Sequence, residues 1–148
     1  MTLKNLLKTG QLIEHEADAD EISKLLRAAR QGIEDARVTM ISTETRFDAA
    51  YRAVMQSATV ALWANGYRTS TSSPGHHRTT IQALSKTIGL DSDRIAVLER
   101  LRHKRNVIDY TGEGMDEASL EVCIREAGCL IDDVYLWLVE QHNDLVRE

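Results

Sequence analysis

The stretch ETRFDAAYRAVMQSATVALWAN, Glu44 to Asn65, decides the fold. Phe47, Ala50, Tyr51, Val54, Ala58, Ala61 and Leu62 recur within it at spacings of three and four or their sums. Each residue of an α-helix advances about 100° around the axis, so residues spaced in this way share one side. No glycine or proline interrupts the run, and Ser42 and Thr43 each bring a hydroxyl able to cap its first free amides. Gly66 stands where a helix commonly ends on a left-handed residue.

Upstream, Ile22, Leu25, Leu26, Ala29, Ile33, Ala36 and Met40 repeat the pattern and predict a helix over 20–40, with Asp18 or Asp20 as its N-cap. A shorter helix is expected over 3–15, broken or bent at Gly10. The short connection between the two longer helices predicts that they run antiparallel. Downstream, YRTSTSSPGHH, Tyr67 to His77, reads as a loop, rich in Ser, Thr, Pro and Gly. Further helices are expected over 77–88, closing at Gly89, and from an Asp91 or Asp93 cap to Tyr110, where Thr111 and Gly112 stop it. The last helix, 116–144, carries Leu120, Ile124, Ala127, Ile131, Val134 and Leu138 inward, with Trp137 on its flank.

Nothing alternates with period two over a strand's length. The expectation is an all-α fold, an up-and-down bundle of four to five helices forming a single domain over 1–148, in which 1–19 fit the pattern least. One proline and eight glycines in 148 residues agree with long helices.

No run approaches the roughly 18 consecutive apolar residues of a membrane span. Met1 to Gly10 lacks the apolar core of a signal peptide. The expectation is a cytoplasmic protein without a membrane partner, with Cys123 and Cys129 as buried free thiols. The net charge of −5 argues against a DNA-coating protein, but its distribution is uneven. Residues 46–110 hold 10 of the 18 Lys and Arg against 5 of the 23 Asp and Glu, whereas residues 111–148 hold 2 and 10. A basic middle can attract an anionic ligand; a solvated, self-compensating surface is the other reading.

Chemistry concentrates in LERLRHKRNVIDY, Leu98 to Tyr110. Arg105 falls seven after Leu98, four after Leu101 and three before Ile108, which puts it on the inward stripe, while Arg100, Arg102 and Lys104 point more outward. A guanidinium keeps its charge in a protein, so an inward Arg needs a carboxylate, a phosphate or a polar cleft. Asp109, one turn on, is close enough to pair with it.

Arg105, Asp109 and Tyr110, an R-x-x-x-D-Y run preceded by Leu98 and Leu101, resemble the signature of one subgroup of the HEPN family. AYRAVMQSA, Ala50 to Ala58, continuing to ALWANGY, is similar to that family's Tyr- and Ala-rich helix ending at a glycine. A loop, a histidine near the next helix start (His76 or His77) and the Arg-bearing helix follow in the same order. The resemblance implies a helical bundle that pairs as a homodimer, with the Arg-bearing helices lining a shared cleft. It also implies a ligand that is RNA or a nucleotide. Many members are ribonucleases of toxin–antitoxin or defence systems encoded beside a minimal nucleotidyltransferase, which would then be a partner. Others only bind.

The family's ribonuclease motif ends in His where this chain has Tyr110. Metal-independent cleavage needs a base for the 2′-hydroxyl proton, and a tyrosine with a reference pKa near 10 serves poorly. The signature therefore favours binding, with Arg105 and Arg102 on phosphate, Asn106 donating hydrogen bonds, Asp109 beside Arg105, and Tyr110 stacking on a base or bonding a phosphate. No catalytic residue is assigned. His103 faces outward, and His76 and His77 reach the cleft only if their loop folds back. Neither metal nor cofactor is expected: adjacent histidines diverge, and no Gly-rich phosphate loop is present. Asp132 and Asp133 read as a solvated face. The competing readings are an active endoribonuclease built on Arg105 and a helical protein–protein adaptor using the acidic last helix.

Overall fold

The computed structural model describes residues 2–72 and 74–147. Ser73, inside the expected loop, and the end residues Met1 and Glu148 lie outside them. The chain is mostly helical: α1 (Leu3–Lys8), α2 (Ala19–Ala36), α3 (Thr43–Ala64), α4 (His76–Gln82), α5 (Leu84–Thr87), α6 (Ser92–Thr111) and α7 (Glu117–Gln141), with a final 3₁₀ turn at Asn143–Leu145. Two short strands, β1 (Leu12–Glu14) and β2 (Tyr67–Thr69), accompany them.

The caps follow side-chain chemistry. Asp18, Ser42, Asp91 and Asp116 each accept from the backbone N–H three residues on, satisfying an amide that no helical carbonyl reaches. Left-handed glycines Gly66, Gly89 and Gly112 follow α3, α5 and α6. Asp91→Ala is expected to cost about 1 kcal/mol in urea denaturation. Asp93→Ala, inside the first turn of α6, is expected to cost clearly less, and equal losses would contradict the cap assignment.

α3 is the central helix. Buried residues surround it, including Phe47, Ala50, Ala53, Val54, Ala58, Val60 and Ala61, as befits a helix covered on more than one side. Its alanines let α2 and α7 approach closely; a Cβ added at Gly32 of α2 would sit 3.0 Å from the Ala49 carbonyl oxygen. Arg46 Nε donates to Ala36 O (2.7 Å), and Gly32 lies against Ala49 and Ala53, so α2 and α3 are antiparallel. Glu44 and Thr43 meet Met115 and Glu117, which sets α3 and α7 in the same direction. Arg94 at the start of α6 meets Asp133 late in α7, and Lys104 near its end bonds Asp116 (2.9 Å), so α6 runs against α7.

Several boundaries differ from expectation. The first long helix ends at Ala36, and Met40, expected inside, is 94 % exposed in the connection to α3. The segment 3–15 is a helix of two turns and then a strand, and 77–88 is two short helices. The antiparallel ribbon, with Ile13 opposite Arg68, was not expected. It forms because β1 precedes α2 and β2 follows α3: the antiparallel pair brings both chain ends to one place. Through it the first residues dock on the bundle, Leu6 and Leu12 burying against Leu62 and Ala83. Cys123 is buried but Cys129, expected to be buried too, is exposed.

A charge cluster, partly exposed at Arg94 and Asp133, ties α6 to α7. Glu126 is nearly buried, with Oε1 3.8 Å from Arg94 Nε, too long for a hydrogen bond, while Arg94 also meets Asp133. No helix among the described residues is long and apolar enough to cross a membrane.

Candidate functional site

Asp48, Tyr51, Arg52 and Met55 occur at i, i+3, i+4 and i+7 of α3 and therefore share one face. Arg105 of α6 and His77 of α4 close on that face, and the six side chains line a cavity of about 210 Å³. The Arg105 guanidinium carbon stands 5.1 Å from the centroid of the Tyr51 ring, a cation–π contact. Its Nε is 3.7 Å from Asp48 Oδ1, an ion-pair distance rather than a hydrogen bond. The Asp48 side chain is 60 % exposed and that of Arg105 34 %, so water reaches both and their attraction is weak. Arg105 is thus held in place by a ring and left with N–H groups free for another acceptor.

Phe47 stacks beside Tyr51, with centroids 6.3 Å apart, and anchors the ring from the core. Tyr51 is 3 % exposed, and its hydroxyl lies 3.4 Å from His77 Nδ1. Burial pushes the Tyr51 phenol up to about 12, against the opposing pull of Arg105 and Arg102. It therefore stays a neutral donor at physiological pH. His77 packs edge-on against His76, centroids 4.7 Å apart. Burial, then His76, Arg105 and Arg102, hold the His77 imidazole below its ordinary value. At neutral pH it is uncharged and able to take a proton.

This depression fixes a pH dependence. In the unfolded chain His77 gains its proton near pH 6.5, and in the folded chain only at lower pH. Its neutral form thus contributes stability above about pH 6.5, lost as pH falls through the lower folded value. Between about pH 5 and 7 the urea midpoint of His77→Gln is expected to vary less with pH than that of the wild type. Parallel profiles would contradict the assigned environment.

The sequence-derived residues are not all brought together. Arg105 lines the cavity; Arg102 sits one turn earlier and grips Glu99 through Nε and Nη2, both at 3.2 Å. Asn106 is half-buried beside them. Asp109 is exposed and is not the partner of Arg105, whose carboxylate contact comes from Asp48 across the helix interface. Tyr110 is 90 % exposed near the end of α6, outside the cavity. His103 is exposed. His76 and His77 need no folded-back loop, because both open α4, which sets His77 against Tyr51. Asp48, Tyr51, Arg52 and Met55 were not read as a site; their common helix face was visible, but what would cross it was not.

Among the described residues, no group of three or more His, Cys, Asp or Glu is placed to hold a metal ion. Comparison of the chain with protein-family models, with curated proteins and with solved structures finds no match.

Proposed function

We propose that this chain is an HEPN-like protein that binds RNA or a nucleotide, with Arg105 holding a phosphate oxygen at the Tyr51–His77 cavity. The observation that carries the reading is a guanidinium fixed by an aromatic ring yet open to water, with one solvated carboxylate 3.7 Å away. A phosphate offers what Asp48 does not: short, charge-assisted hydrogen bonds to several N–H groups. Tyr51 and Arg52 add a neutral donor and a second cation at the same cavity. The family resemblance adds the rest of the proposal: an up-and-down bundle acting in the cytoplasm as a homodimer, with the Arg105 helices lining its cleft. The setting is a toxin–antitoxin or defence system with a nucleotidyltransferase partner.

His77 supports a second reading, metal-independent endoribonuclease. An uncharged imidazole beside the phosphate-holding Arg is placed to take the 2′-hydroxyl proton, a role Tyr110 fills poorly. The freed 2′-oxygen attacks phosphorus, the bond to the 5′-oxygen breaks, that oxygen takes a proton from water and leaves as a hydroxyl, and a 2′,3′-cyclic phosphate results.

Labelled single-stranded RNA and labelled mononucleotides, titrated at low and high salt with a chelator present, test both readings. Saturable, salt-weakened binding is expected. Cleavage lost in His77→Ala while binding persists would favour the ribonuclease; RNA that stays intact but bound would leave the binding reading. Absence of saturable binding by either probe removes both.

A further inference from the structure

α6 presents a second face, about 100° around from Arg105, to α7. The two helices are joined at one end by Arg94 with Glu126 and Asp133, and at the other by Lys104 with Asp116. Between these ties lies an open groove of about 380 Å³, floored by Val97, Leu101 and Val122 and edged by Arg100, Lys104 and Arg125. Val97 and Val122 remain partly exposed although both pack on the core.

We propose that this groove docks an acidic amphipathic helix of a partner protein, apolar side chains on the valine floor and carboxylates on the arginine rim. Charge complementarity carries the choice of occupant. Among the described residues no carboxylate pairs with Arg100 or Arg125, although the chain as a whole is acidic. Lys104 is tied to Asp116, so two cations stand free beside an apolar floor. Nucleic acid suits the groove less well, because among the described residues no aromatic ring lines it for a base to stack on. A helix laid between two helices, with apolar anchors at i, i+3, i+4 and i+7 and carboxylates beside them, offers the chemistry that such a floor and rim would take.

The test uses fluorescein-labelled helical peptides with leucines at i, i+3, i+4 and i+7 and glutamates elsewhere, followed by anisotropy. Wild-type protein is expected to bind this peptide saturably, more weakly at high salt, and not its lysine counterpart. Arg100→Glu with Arg125→Glu, both on exposed positions, is expected to weaken the acidic peptide at least about tenfold and to admit the lysine one. Circular dichroism of the double variant checks its fold. The proposal is overturned if the acidic peptide fails to bind, or binds equally with its leucines changed to serine. An unchanged affinity in the double variant also overturns it. So does a wild-type dimer that the double variant dissociates, which would give the groove to a second copy. So does RNA affinity lost in the double variant, which would give the rim to nucleic acid. Arg105 is untouched throughout, so the phosphate cavity is judged separately.

Discussion

Arg105→Ala is expected to weaken RNA or nucleotide binding by about tenfold to a hundredfold, corresponding to the roughly 1.5–3 kcal/mol of hydrogen bonds to a charged group. Stability should change by less than about 1 kcal/mol, because the ion pair to Asp48 is solvated and the side chain is one-third exposed. Arg105→Lys keeps the charge but loses the fork of donors, and is expected to fall between wild type and alanine. Asp48→Asn gives the opposite sign: with the carboxylate that lines the cavity gone, an anion should bind more tightly. Anisotropy titrations of the three variants with one labelled RNA check these expectations. Binding weakened equally by Asp48→Asn and Arg105→Ala would show that their contact is structural, and the cavity assignment would fail.

Phe47→Ala is expected to cost about 3–5 kcal/mol, the largest effect on stability predicted here. Phe47 is fully buried near the start of α3, so truncation leaves a cavity in the core. Against a total stability of about 5–15 kcal/mol, such a loss brings the chain near unfolding at ordinary temperature. It also removes the ring beside Tyr51, so affinity should drop even under conditions where the variant stays folded. Urea denaturation of Phe47→Ala beside Met40→Ala makes the contrast. Met40 is 94 % exposed, and its truncation should lie within about 0.5 kcal/mol of wild type. A Phe47 loss below about 1 kcal/mol would contradict the central place given to α3.

The long helices were legible because their signals are local. Stripes of apolar residues marked α2, α3 and α7, and cap residues marked where they begin: of the paired candidates, Asp18 and Asp91 are the ones whose carboxylates bond the first-turn amides. What was not legible depends on residues far apart in the chain. The ribbon of Leu12–Glu14 with Tyr67–Thr69 has too few residues for any periodicity, and it exists only because the helix pair between its strands folds back. Met40 fitted the stripe of α2, but the helix stops at Ala36 before reaching it.

The site shows the same division. Helical spacing put Arg105 on an inward stripe, and it does line a cavity. The i+4 rule then suggested Asp109 as its neighbour, whereas the contact is made by Asp48 on another helix. Tyr51 was read as a core residue from its spacing; it is buried, and it also holds Arg105 on its ring face. His77 looked remote because the preceding residues read as loop. A helix beginning at His76 sets it against Tyr51, and sequence spacing has no access to that angle.

The proposed ligand is a phosphate settling against Arg105 in the Tyr51–His77 cavity. Its most direct test is a ¹H–¹⁵N NMR titration of the labelled protein with a phosphorylated RNA oligonucleotide, following the Arg105 Nε–H and the His77 ring nitrogens. Both are expected to move together and saturate at one dissociation constant, while the Arg100 and Arg125 side chains stay still. Binding that shifts Arg100 and Arg125 but leaves Arg105 and His77 unmoved would contradict it.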